Sequence, residues 1–336
     1  MSQVFVLAKR PVGVPELEDF DLVSLQEDSL GDGELRIEPV TFSVDPYLRG
    51  RMSDARSYVA PFEVGAPIAS AGIGKIMESR AEGFAVGDFV RGEFPWASSF
   101  VLGTAGLWKL PTDLEVDPSA YLGVLGMTGL TAYVGLVVLG KVTAEDEVLV
   151  TGAAGAVGSV VGQLARIFGA RVVGSAGGSA KVEQLAKLGF TAGIDYRSSD
   201  FAQALDVSFP DGISLFFDNV GGKQFEAGLH RMKDFGRILS CGAISQYNDT
   251  ELPPGPRGLE GLVVRRRLRI QGFIVSDHQS HYREYLSKAT QWIRDGQLQS
   301  LETIADGFTE LPTAFVSLFS GGNIGKMLVN ATSSAP

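Results

Sequence analysis

The chain has 336 residues, 45% of them hydrophobic and 20% charged, which is enough to bury one or two substantial cores and excludes a disordered chain. A formal net charge of -10 and a pI near 4.9 exclude a dominant basic surface, so neither nucleic acid nor an anionic membrane is expected as a partner. No apolar run reaches the length of about 18 residues that a membrane span needs, and the opening MSQVFVLAKRPVG lacks the layout of a signal peptide, so a cytoplasmic protein is expected.

Residues 1 to about 120 read as β-rich: short apolar runs such as QVFVLA, GELRIEPVTF and GDFVRGEF are separated by Gly, Pro and Asp turn signals, which predicts a compact β domain. From Tyr121 onward, helical patterns alternate with the short runs EVLV, RVVGSA, AGIDY, ISLFFDNV and GRILSCGA. Strands alternating with helices predict an α/β fold built on a doubly wound parallel sheet. In VGSVVGQLARIFGA, Val157, Val160, Val161, Leu164 and Ile167 recur at helical spacing, and the pattern closes on Gly169; AKVEQLAKLGF repeats that logic. The stretch GLVVRRRLRIQGFIV reads as a strand in which Arg265 to Arg269 form a solvated or ion-paired face. After about residue 298, LETIADGFTE and GKMLVN read as strands around a helical LPTAFVSLF. The single cysteine, Cys241, excludes an intrachain disulfide and a multi-cysteine zinc site, and fits a reducing compartment. His230, His278 and His281 read as surface residues; the spacing of the last two suits one helical face but lacks the third ligand of a zinc site.

The segment TGAAGAVGS, between EVLV and the first of those helices, has the setting of a dinucleotide-binding turn. Its fingerprint frame reads Ala153, Ala154, Gly155, Ala156, Val157, Gly158, with Gly152 one place early, so the second and third glycine roles are kept and the turn itself must differ. A helix N-terminus there supplies amides and partial positive charge to a pyrophosphate. An NAD site carries an acid at the end of the second strand to hold the ribose 2′-hydroxyl, but no acid occurs from Gly174 to Lys181. Small residues leave room for a 2′-phosphate, and Lys181 sits near the start of the next helix, where a cation opposes the macrodipole unless an anion lies beside it. NADPH is the cofactor these features predict.

The motifs SVDPYLRGRM, GMTGLTAY, TGAAGAVGS, DNVGG, CGAISQYN, QGFIVSD and GGNIGK occur in that order between residues 43 and 326. Together they resemble the zinc-independent medium-chain dehydrogenases/reductases, in the branch of leukotriene dehydrogenase/prostaglandin reductases, alkenal double-bond reductases and curcumin reductase. The resemblance implies a GroES-like domain over residues 1–122 and 299–336, a Rossmann domain over 123–298, a catalytic cleft between them, a homodimer and no metal. It also implies reduction of the carbon-carbon double bond of α,β-unsaturated ketones and aldehydes. Residue by residue, Lys181 and Tyr196 match 2′-phosphate contacts, with Gly177 beside them. Ala154, Gly155 and Val157 match the pyrophosphate turn. Asn219, Cys241, Tyr247, Phe273, Val275 and Asn323 match residues near the nicotinamide half, Met127 and Thr128 line the same cleft, and Tyr47 matches a substrate-side aromatic.

Hydride addition to the β-carbon of an enone drives charge onto the carbonyl oxygen, so the transition state is an incipient enolate that needs a preplaced hydrogen-bond donor. A neutral phenol suits this, with an ordinary pKa near 10, and Tyr247 is the expected donor. Tyr47 is expected to shape or clamp the substrate. Two other functions stay open: a quinone reductase sharing the cofactor, and a non-catalytic NADPH-binding sensor or structural protein. For Asn219, Phe273 and Val275 the alternatives are a turn cap and ordinary core strand residues.

Overall fold

The computed structural model describes residues 1–111, 116–198, 200–251 and 253–331. The last five residues of the expected second GroES-like segment, 332–336, lie outside the described residues. The chain forms two compact units, Met1–Leu122 with Glu302–Pro336, and Gly123–Leu301.

In chain order the strands and helices of the first segment are β1 (Ser2–Leu7), β2 (Phe20–Leu25), β3 (Glu34–Val44), α1 (Leu48–Arg51), β4 (Ala69–Ser79), β5 (Phe89–Pro95), β6 (Phe100–Gly103) and β7 (Trp108–Lys109). The second unit follows with α2 (Met127–Tyr133), β8 (Glu147–Val150), α3 (Ala156–Ile167), β9 (Arg171–Ala176), α4 (Ser179–Lys187), β10 (Ala192–Asp195) and α5 (Phe201–Ser208). It continues with β11 (Ile213–Asp218), α6 (Gly222–His230), β12 (Met232–Ser240), α7 (Leu259–Arg266), β13 (Arg269–Gly272) and α8 (Tyr282–Arg294). The chain then returns to the first unit with β14 (Glu302–Asp306), α9 (Leu311–Ser317) and β15 (Lys326–Asn330).

The first unit is a seven-stranded sheet of order β14-β15-β3-β4-β5-β7, with β6 also on β3, and a separate β1-β2 hairpin. Its core stacks Phe5, Phe20, Phe42, Phe94, Trp96, Phe308 and Phe315. The return segment enters this core because β15 pairs antiparallel with β3 and Phe315 is fully buried. The second unit is a six-stranded sheet of order β10-β9-β8-β11-β12-β13, parallel throughout. Its central strands are near-continuous apolar runs because helices cover both faces, and Leu149, Val173, Phe216 and Ile238 are buried. The order reverses between β8 and β11, the point at which doubly wound sheets bind ligands beyond their carboxyl ends.

The reading of GLVVRRRLRIQGFIV as one strand is corrected. Leu259–Arg266 is helix α7, and only Arg269–Gly272 is strand. Leu259, Leu262 and Val263 supply a helical contact face to the core of the second unit, and Arg267 ends the helix in the left-handed region at φ 50°. The arginine side chains do pair outward: Arg267 with Asp234, and Arg266 with the carbonyls of His230 and Met232. Of the three histidines, His230 is exposed and His278 and His281 are partly exposed. His278 and His281 lie in the 3-10 segment Val275–His281, which is kinked at His278, and the His278 ring packs edge-on to Phe273 at 6.5 Å.

Candidate active site

The turn after β8 is built as its glycines require. Gly152 takes a left-handed φ of 59°, so the tight-turn role sits one place before the usual frame. The Gly155 amide donates to the Gly152 carbonyl at 3.0 Å, and Gly155 opens α3 in extended conformation. Gly158 packs hard against that turn: an added Cβ would stand 2.4 Å from the Gly152 carbonyl oxygen and 2.8 Å from the Ala153 Cα. Ala154 is buried, while Gly155 and Val157 are half-buried at the helix start. The amides of α3 that lack intrahelical partners open where a pyrophosphate would lie.

At the end of β9, Gly177, Lys181, Tyr196 and Arg197 converge. A Cβ at Gly177 would lie 2.8 Å from the Arg197 Nε and 3.0 Å from the Tyr196 hydroxyl. The Arg197 guanidinium lies 5.9 Å from the centre of the Tyr196 ring. Burial lowers the Lys181 ammonium pKa below its ordinary value, and the neighbouring Arg197 charge lowers it further. Among the described residues Lys181 has no acidic partner. The Lys181 ammonium and the Arg197 guanidinium repel each other beside this glycine, and an arriving phosphate would be attracted by both. Asp195, the nearby acid, accepts the amides of Gly178 at 2.9 Å and Arg197 at 3.0 Å; these bonds, then the Ser198 hydroxyl and the Arg197 charge, lower its pKa. Arg197 is a site candidate that the sequence reading missed; its signal was the arginine next to Tyr196 in DYR.

The ends of β8, β11 and β12 gather Asn219, Cys241 and Tyr247. The Asn219 side-chain amide donates to the Thr151 carbonyl at 2.8 Å, so this side chain bridges strands rather than capping the turn. Burial, reinforced by Asp218, pushes the Cys241 thiol up to about 12, which makes it an inert thiol at neutral pH. Tyr247 is half-buried; its hydroxyl accepts the Ala243 amide at 3.4 Å and lies 3.0 Å from the place a Gly242 Cβ would take. Accepting an N–H polarises a phenolic hydroxyl toward donating its proton.

Phe273 and Val275 lie just beyond β13, not in a strand. The Phe273 ring meets Phe217 edge-on at 6.2 Å, over Gly135, and is half-buried. Met127, at the start of α2, is 39% exposed, whereas Thr128 is buried and its hydroxyl donates to the Gly123 carbonyl at 2.9 Å. Tyr47 and Asn323 belong to the other unit, on neighbouring ends of the paired strands β3 and β15. Burial, then the charges of Asp45 and Glu93, hold the Tyr47 phenol well above its ordinary pKa. The Asn323 amide donates to the Gly325 carbonyl at 2.7 Å. The buried Lys326 ammonium, at the start of β15, pairs with Asp45 at 2.5 Å.

No group of three or more His, Cys, Asp or Glu side chains able to hold a metal ion occurs among the described residues. No helix among them is long and apolar enough to cross a membrane.

Two family models match the chain: the N-terminal domain of oxidoreductase over residues 3–110 and the zinc-binding dehydrogenase domain over residues 156–291. The chain is 38% identical to the NADPH-dependent curcumin reductase of Escherichia coli, over 97% of this chain and 95% of that one. It is 39% identical to the NADP(+)-dependent 2-alkenal reductase of Nicotiana tabacum, over 96% of each. The crystal structure of CurA from Vibrio vulnificus in complex with NADPH superposes with a TM-score of 0.94 at 38% identity, covering 98% of this chain and 99% of that one. Full-length identity at this level, joined to the shared two-unit α/β fold, makes the chain a member of the zinc-independent medium-chain dehydrogenase/reductase family, in its leukotriene dehydrogenase/prostaglandin reductase branch.

Proposed function

We propose that the chain is an NADPH-dependent reductase of the carbon-carbon double bond in α,β-unsaturated ketones and aldehydes. The observation that carries this reading is a single sheet whose β9 end presents two cations to a phosphate while the loop after β12 holds a phenol at the same carboxyl edge. The names and cofactors of the relatives support it. NADPH, when bound, supplies the hydride.

The chain's own residues divide the remaining work. Gly155 and Val157 at the start of α3 hold the pyrophosphate through backbone amides. Lys181, Arg197 and Tyr196 hold the 2′-phosphate across Gly177. Thr128, Asn219, Cys241, Phe273, Val275 and Asn323 orient the nicotinamide half, and Met127 and Tyr47 bound the substrate. Tyr247 donates its phenolic proton to the substrate carbonyl oxygen as enolate charge develops, and the Ala243 amide steadies that oxygen from behind. The α-carbon proton comes from solvent or through Tyr247.

We also place the chain in the cytoplasm as a homodimer. A lone, suppressed thiol fits a reducing compartment. The edge strand β13 presents Ile270, and Phe235 nearby is 71% exposed, apolar surface that a second copy would cover. Light scattering reads the mass.

The decisive assay follows NADPH absorbance with purified protein and a panel running from short alkenals to bulky diarylheptanoid enones, with a quinone beside them. Turnover of enones over the quinone is expected, and Tyr247→Phe should lower enone turnover by about a hundredfold with NADPH affinity preserved. Turnover of the quinone alone, or of nothing, refutes the reading.

A further inference from the structure

The loop that carries Tyr247 is suspended from a turn that two buried side chains hold in place. Thr151 directly follows β8 and Asp218 ends β11, so the pair straddles the reversal point of the sheet; they are 0% and 2% exposed, too enclosed to touch a ligand. The Thr151 hydroxyl donates to Asp218 Oδ1 at 2.5 Å and accepts the Asn219 amide at 3.0 Å. The Asp218 carboxylate also accepts the amides of Val220 at 3.2 Å and Gly221 at 3.0 Å. With the Asn219 side chain on the Thr151 carbonyl, the turn from 218 to 221 is fixed from both flanks.

Three successive carbonyls of that turn then hold the next loop. Asp218 O receives the Cys241 amide at 2.8 Å and the Gly242 amide at 3.3 Å, and Asn219 O receives the Ile244 amide at 3.3 Å. Val220 O receives the Ser245 amide at 3.1 Å and its hydroxyl at 2.6 Å. The Tyr247 amide closes on Ile244 O at 3.5 Å, and its ring folds back so that the hydroxyl lies over Gly242, itself 3.4 Å from Asn219 O when a Cβ is placed there. Burial raises the Asp218 pKa, against the Thr151 hydroxyl and the two amides, which favour the charged form.

We propose that Thr151 and Asp218 are positioning residues for Tyr247: through the 218–221 turn they set where the phenol stands, and so act on turnover without meeting substrate or cofactor. This rests on the role of Tyr247 given above.

The test is a double-mutant cycle in the full-length enzyme with NADPH and an enone that it turns over. Thr151→Val keeps the shape and removes the hydroxyl, so kcat should fall by about tenfold or more, because a small misplacement of a reacting group is costly. Thr151→Ser restores the hydroxyl and should recover kcat to within about threefold. In a Tyr247→Phe background, Thr151→Val should change kcat by less than about twofold, since the group it positions has gone. Asp218→Asn, which takes the acceptor either from the Gly221 amide or from both the Thr151 hydroxyl and the Val220 amide, should repeat the pattern and serves if the valine variant does not fold. Losses that multiply across the cycle, or wild-type kcat in both Thr151→Val and Asp218→Asn, overturn the positioning role. A Tyr247→Phe enzyme with undiminished turnover instead overturns the role of Tyr247 itself.

Discussion

Replacing Lys181 with alanine separates the two nicotinamide nucleotides. The Lys181 ammonium and the Arg197 guanidinium repel each other with or without ligand, so that term cancels in a binding difference, and what the substitution removes is one charge-assisted contact to phosphate. Such contacts contribute about 1.5–3 kcal/mol, which converts to a loss in NADPH affinity of about tenfold to a hundredfold. NADH carries no 2′-phosphate and should bind as before. Arg197 is exposed, so Arg197→Ala should cost less, and that cost should shrink as salt is raised. Fluorescence titration of both nucleotides at two ionic strengths reads all of this. If Lys181→Ala weakens NADH and NADPH equally, the lysine supports the fold and not the phosphate; if it weakens neither, no phosphate sits there.

The same lysine predicts a pH effect on binding. Its pKa is lowered in the free protein and a bound phosphate would raise it, so NADPH affinity is full while Lys181 is already protonated and falls as pH climbs through the lowered value, by up to about tenfold per pH unit, until the phosphate-bound lysine also loses its proton. NADH titrated alongside should stay flat, and Lys181→Arg should move the fall to higher pH. Two glycines of one turn should part company: Gly158→Ala drives a methyl into backbone and should cost about 3 kcal/mol in urea denaturation. Gly155→Ala meets only the Gly152 carbonyl, at 3.2 Å, and should keep its stability while weakening both nucleotides by about tenfold in the fluorescence titration. In the first unit, Lys326→Met strands the buried Asp45 carboxylate and should cost about 3–5 kcal/mol, most of it recovered when Asp45→Asn is added, again by urea denaturation.

The doubly wound sheet was legible because its central strands are buried on both faces and therefore appear as unbroken runs such as EVLV and ISLFFD. The phosphate turn was legible for a different reason: Gly152, Gly155 and Gly158 answer to backbone geometry that few other residues satisfy. GLVVRRRLRIQGFIV misled because its β-branched and apolar residues suit a strand, while the break at Arg267 depends on a left-handed backbone that no glycine announces. Thr151 and Asp218 were passed over since their meaning lies in a contact across 67 residues of sequence, between strand ends that only the folded sheet makes neighbours. Arg197 went unread beside Tyr196 for a similar reason: its approach to Lys181 comes from the alignment of β10 with β9.

The place of β15 bears on how the chain is made. Along β3, residues Thr41 to Val44 take their ladder partners from Met327 to Asn330, and the earlier partner β6 reaches only Glu34 to Ile37. Lys326 follows Val44 by 282 positions, so at ribosomal speed that edge waits roughly 15 to 55 seconds for its closing strand. During that interval the parallel-sheet unit, continuous in sequence, is free to fold, while the first 122 residues carry an open, apolar margin that invites pairing between nascent chains. Chain growth and chaperone cover over this window therefore bear on yield beside the stability of the finished protein.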